Sequence, residues 1–188
     1  MSDVPSVPEV LTRIEDGDGA AAQTLFALVY QDLRQRAAYY LAQQSSGSTL
    51  QPTAVVHEAY LKLAGAGERK WSSRRHFFNA AAEAMRQILV DHARRKHAQK
   101  RGGGEAQRVD LDSAVLAAPA DQTDWESLDR ALGELKTEDS RRYEVVMNRF
   151  FAGLPNAQIA QMLDVSERTV ERDWKLARMY LLGKLSAE

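Results

Sequence analysis

Helical spacing is the feature that most limits what this chain can fold into. Between residues 20 and 44 the apolar side chains Leu25, Leu28, Val29, Leu33, Ala37, Tyr40 and Leu41 recur every three or four positions. That period lines one face of an α-helix and neither face of a strand. The same steps return at Val55, Val56, Ala59, Tyr60 and Leu63, and a long helix is expected from Arg74 to Lys100. Runs rich in Val, Ile and Thr with strict alternation are absent, so the spacing predicts an all-α protein. Val10, Leu11 and Ile14 suit a short helix ending at Asp16-Gly17, while Pro5 and Pro8 argue against structure over residues 1 to 8. The stretch SSGSTLQP, then Gly65 and Gly67, break the pattern again.

The pattern fails altogether in RGGGEAQRVDLDSAVLAAPADQT, which has three successive glycines, a proline and little periodicity. It reads as a flexible tether. The plan is therefore two small helical domains, residues 1–101 and 123–188, joined by a linker over 102–122. Trp125, Leu128, Leu132, Leu135, Val145, Val146, Met147, Phe150 and Phe151 are the expected core of the second.

That second domain ends in NAQIAQMLDVSERTVERDWKLAR, from Asn156 to Arg178. Ile159, Met162 and Leu163 give one short helix an apolar face, and Ala160 is small where a second helix must approach. Asp164 tolerates the left-handed backbone that a tight turn requires. Ser166 stands at the N-cap of the next helix, where its hydroxyl can take an orphan amide. Val170, Trp174 and Ala177 form that helix's apolar stripe, and Arg168, Thr169, Glu171, Arg172, Lys175 and Arg178 occupy its other faces. Small residue, turn, cap and basic second helix in this order describe a helix-turn-helix able to enter a DNA major groove. The plainer alternative is a helical hairpin with a solvated charged face.

A second basic region lies in the first domain. Arg69, Lys70, Arg74, Arg75, Arg86, Arg94, Arg95, Lys96, Lys100 and Arg101 meet only Glu83 and Asp91 as acids. Trp71, His76, Phe77 and Phe78 are interleaved with them. Cations that track phosphates, beside rings on which bases can stack, are what single-stranded nucleic acid requires. The competing reading is core for the phenylalanines and a favourable helix C-terminus for Arg94-Arg95-Lys96; one Phe is expected in the core whatever the function.

Composition narrows the classes. The 188 residues carry a formal net charge of -1, so nucleic-acid binding must come from local patches. There is no cysteine, which excludes disulfides and thiolate metal sites and suits a reducing cytoplasm. The first residues have acids and prolines but no apolar core run, so no secretory signal is expected there, and no stretch approaches a membrane span. His57-Glu58 lacks the second histidine of HExxH, and His92 and His97 are not four apart. Neither enzyme nor metal nor cofactor is expected.

Taken together, the chain resembles the bacterial sigma-70 family of RNA polymerase sigma factors, in its extracytoplasmic-function form: region 2, a linker and region 4. AVVHEAYLKL is similar to the region 2.2 helix, HFFNAAAEAMRQILVDHARRKHAQKR to regions 2.3 and 2.4, and EVVMNRFFAGLPNAQIAQMLDVSERTVERDWKLAR to region 4. The resemblance implies docking on the β′ coiled coil of core RNA polymerase by Val56, Glu58, Tyr60, Leu61 and Leu63. It places Trp71, Arg74, Arg75, Phe77, Asn79, Arg86, Arg94 and Arg95 at the −10 promoter element, where region 2 melts and reads DNA. It places Arg168, Thr169, Arg172 and Lys175, with Ser166 and Arg178 beside them, at the −35 element, region 4 also holding the β flap. An anti-sigma factor is a partner that such a protein can have. Family members usually carry acids just before the docking helix, where this chain has Gln51, Pro52, Thr53 and Ala54. A Ser/Thr kinase that phosphorylates Thr53 would restore negative charge there; the plainer role for Thr53 is an N-cap. The alternative at the level of function is a dimeric helix-turn-helix regulator that binds duplex DNA without polymerase.

Overall fold

The structure, a computed structural model, describes residues 5–18, 20–42, 51–64, 73–99 and 125–186. The expected tether over 102–122, including Gly102 to Gly104, lies outside the described residues, as does Trp71. Among the described residues there are helices and no strand.

The first half is a bundle of four helices. α1 spans Val7–Glu15, α2 Ala21–Ala42, α3 Pro52–Ala64 and α4 Arg74–Gln99. The expectation of no structure over residues 1 to 8 fails from Val7 onward. Pro8 falls in the first turn of α1, where a missing N–H breaks no helical bond, and the Glu9 carboxylate accepts the Ser6 N–H at 2.7 Å. Asp18 turns the chain into α2: one carboxylate oxygen takes Arg13 at 2.6 Å, the other the Ala20 N–H at 2.9 Å. Ser73 opens α4, its hydroxyl accepting the His76 N–H at 3.1 Å. Ile14, Leu25, Leu33, Val55, Met85, Ile88 and Leu89 are buried between these helices.

The second half begins with α5, Trp125–Glu138, and α6, Ser140–Val146, whose N-cap Asp139 accepts the Arg142 N–H at 3.0 Å. α6 does not end as an α-helix. Met147–Phe151 continue it as a π-helical turn, in which the Ala152 N–H reaches back five residues to the Met147 carbonyl at 3.2 Å. The wider turn lets Met147, Asn148, Phe150 and Phe151 all point inward. Gly153, at φ +75°, then reverses the chain into α7, Asn156–Leu163, and α8, Glu167–Ser186. Trp125, Leu132, Phe150, Phe151, Ile159, Val170, Trp174 and Leu181 fill this half. The two halves meet, with α4 of the first lying against α5 and the π turn of the second.

Candidate nucleic-acid interfaces

α7 and α8 form the helix-turn-helix. Asp164 sits at φ 53° and ψ 50°, the only non-glycine residue with positive φ among those described. This left-handed residue lets the Val165 N–H return to the Ala160 carbonyl at 3.0 Å and frees the chain to start α8 at an angle. The Ser166 hydroxyl accepts the Thr169 N–H at 3.1 Å and lies 2.9 Å from the Thr169 hydroxyl, so the cap stands where its sequence position predicts. Ala160, Val170, Trp174 and Ala177 are buried. That fixes the outward face: Ser166, Arg168, Arg172 and Lys175 are exposed, and Thr169 and Arg178 half-exposed. Arg149 holds this unit to α6 by lying over the Trp174 ring at 4.7 Å and donating to Asn156 at 2.8 Å.

Asp173 escaped the sequence argument. It lies on the buried side of α8, where its carboxylate takes the Arg141 Nε at 2.7 Å and so ties α6 to α8. The signal was present: position 173 falls between Val170 and Trp174 on the apolar stripe, where an acid needs a partner.

On α4 the basic side chains do not lie open. Arg75 forks onto Glu144 of α6, at 2.7 and 2.6 Å. Asn79 donates to the same carboxylate at 3.0 Å and accepts from the buried Asn148 at 2.7 Å. Arg86 is shared between Glu83 on its own helix and Asp129 of α5, and Arg94 reaches Asp129 at 3.3 Å. The Tyr143 hydroxyl donates to Glu83 at 2.8 Å. Burial pushes the Glu144 carboxyl up, but the bonds from Arg75 and Asn79 outweigh it and hold it below the ordinary carboxylate value. Glu83 is likewise raised by burial, then brought below the ordinary value by Arg86 and Tyr143. Tyr143 is pushed well up by its burial and by Glu83.

Phe77 and Phe78 are both buried, edge to face with centroids 5.5 Å apart, so the expectation that only one belongs to the core is corrected. Phe77 offers no ring face to a base in this arrangement, because the first turn of α4 points inward. Arg74 lies 5.9 Å over the Phe78 ring. Arg95 is exposed, its Nε donating to the Asp91 carbonyl at 3.2 Å.

One cation that no motif singled out completes the contact between the halves. Arg36 of α2 donates to the carbonyls of Arg149 and Phe150 at 3.4 Å and of Gly153 at 3.3 Å. It caps the end of the π turn, where carbonyls lack helical partners. A Cβ on Gly153 would run into the Arg36 guanidinium.

α3 carries the expected docking residues unevenly. Leu61 is 53% exposed, while Glu58, Tyr60 and Leu63 are half-buried, Tyr60 packing 4.9 Å from the Phe26 ring. Val56 is fully buried; as part of the core it positions the helix and presents nothing to a partner. Thr53 is exposed but is not the N-cap. The first helical bonds, from Ala54 and Val55, go to the Gln51 carbonyl, which leaves Thr53 inside the first turn.

Two helical bundles in contact, the second ending in a helix-turn-helix with a cationic outer face, define an all-α protein of the DNA-binding class. A family model described as ECF sigma factor matches residues 4–187, and the chain belongs to that family. It is a sigma factor, a DNA-binding protein of transcription initiation. No curated protein and no solved structure matches the chain significantly. No described helix is long and apolar enough to cross a membrane.

Proposed function

We propose that this chain binds core RNA polymerase and directs it to promoters by reading two DNA elements with its two halves, residues 1–101 and 123–188. α3 docks on the β′ coiled coil through Leu61, with Glu58, Tyr60 and Leu63 around it. α8 enters the major groove at −35, where Arg168, Thr169, Arg172 and Lys175 meet base edges and phosphates. Ser166 and Arg178 flank that contact. α4 holds the melted −10 strand, with Arg74, Arg75, Asn79, Arg86, Arg94 and Arg95 on its phosphates and bases and Trp71 ahead of them. The chain performs no bond-making step; binding energy and the choice of sequence are its whole contribution.

The observation that carries the reading is the cationic outer face of α8, set by a left-handed Asp164 and a Ser166 cap on a buried Val170-Trp174-Ala177 stripe. Further partners follow from the same class: the β flap for the second half, an anti-sigma factor, and a Ser/Thr kinase acting on the exposed Thr53. A phosphate in the first turn of α3 would meet free amides and supply the charge that Gln51 to Ala54 lack. Run-off transcription with core polymerase over a promoter library tests the whole reading. Transcripts that start downstream of shared −35 and −10 sequences are expected. A chain that binds duplex DNA tightly as a dimer, and gives no transcript with polymerase, belongs instead to the regulator class.

A further inference from the structure

The cations assigned to the −10 strand are the ones that the second half covers. Arg75, Arg86 and Arg94 stand on one side of α4, over about 28 Å at the rise of an α-helix. Each is matched from across the interface by a carboxylate: Arg75 by Glu144, and both Arg86 and Arg94 by Asp129. These are not loosely paired surface charges. The side chain of Glu144 is 16% exposed, that of Arg86 17% and that of Asp129 22%. A carboxylate offers a guanidinium the same planar pair of oxygens that a phosphate does, so a strand and this acid pair compete for the same donors.

We propose that α5 and α6 form a self-inhibitory clamp, in which Asp129 and Glu144 take the place of strand phosphates on α4 and keep the free chain from holding single-stranded DNA. The proposal rests on the reading of α4 as the strand-holding helix. Opening is all-or-none for three reasons. Asp129 serves two arginines, so both are released together. Glu144 and Asn148 share Asn79. Arg36 grips the carbonyls at the end of the π turn, so α2 must let go as α4 does. A partner that draws the halves apart, as two separated docking sites on one polymerase would, frees the α4 cations and the α7–α8 unit in a single step. The strand site is then exposed only where polymerase is already present.

The test uses the full chain and a fluorescent single-stranded oligonucleotide. The isosteric double variant Asp129→Asn/Glu144→Gln removes both carboxylate charges, and Arg36→Ala loosens the same interface without touching an acid. Each should increase the radius of gyration in solution scattering and tighten oligonucleotide binding at least about tenfold, the gain expected when a rarely open state becomes the main one. Glu134→Gln, whose partner Lys184 lies in the same half, should do neither. If the variants expand but bind the strand no better than a wild type that already binds it, the clamp is refuted and the strand-holding role of α4 stands. If they expand and no form binds the strand, that role falls and takes the clamp with it. Variants that stay compact refute the clamp directly, since these contacts then do not hold the halves together.

Discussion

Truncating Arg172 should separate base reading from fold stability. Its side chain is 63% exposed, and its nearest acid, Asp173, is 3.6 Å away, beyond hydrogen-bonding distance. The Asp173 carboxylate is already committed to Arg141 at 2.7 Å. Arg172→Ala therefore leaves no buried charge uncompensated, and unfolding stability should change by no more than about 0.5 kcal/mol. If Arg172 makes a two-pronged contact with a base edge, losing it costs about 1–3 kcal/mol at the matching base, roughly 5- to 150-fold in occupancy. The assay is binding of the polymerase complex to promoters carrying each single-base change at −35. The variant should lose affinity for the preferred base and become nearly indifferent at that one position. A loss of equal size on every promoter, with a shallower dependence on salt, would refute the assignment and make Arg172 a phosphate contact.

Removing the Asp173 carboxylate with Asp173→Ala should lower stability by about 1–3 kcal/mol in thermal or urea unfolding, because Arg141 loses the partner that ties α6 to α8. Asp164→Gly should be neutral or stabilising by up to about 1 kcal/mol, since glycine accepts φ 53° without steric cost, whereas Asp164→Val should destabilise. Acid should weaken the contact between the halves. Glu83 and Glu144 are held below their ordinary 4.5, so their contribution is complete above that pH and drains away as pH falls through the lowered values. Scattering should show the chain expanding in that window, and less change in a Glu144→Gln chain that is already open. Thr53→Ala should abolish and Thr53→Glu partly keep transcription in cells if a phosphate completes the α3 docking surface; unmodified protein that transcribes well in a purified system would show that none is needed.

The elements whose apolar residues repeat along their own helix were legible in the sequence. The period of α2, the turn at Asp164, the cap at Ser166 and the Val170-Trp174-Ala177 stripe all express chemistry within a few residues, and the structure places them as expected. What the sequence hid depends on partners far along the chain. Arg86 and Asp129 are 43 positions apart and Arg36 and Gly153 117, and no period links them. Val56 and the second phenylalanine were misjudged for a related reason: a helix covered on more than one side buries residues outside its principal stripe. Pro8 was taken for a breaker because its position within the first turn decides its effect, and the Ser6 start that fixes that position is a single weak signal. The π turn was invisible because EVVMNRFF is equally good as continuous α-helix; only burial on two sides at once selects the wider coil.

That wide turn makes the length of one segment a specification of direction. Met147–Phe151 hold one residue more than an α-helical path between the same two points would need. Deleting a single residue there would let the coil relax to ordinary winding and preserve every helix. It would also rotate all that follows by about 100° around the α6 axis. The outer face of α8 would then point away from where it now points, with no change in its own side chains. Orientation of the DNA-facing unit is thus stored in a residue count rather than in a contact, and a one-residue deletion could silence it in a protein that remains fully folded.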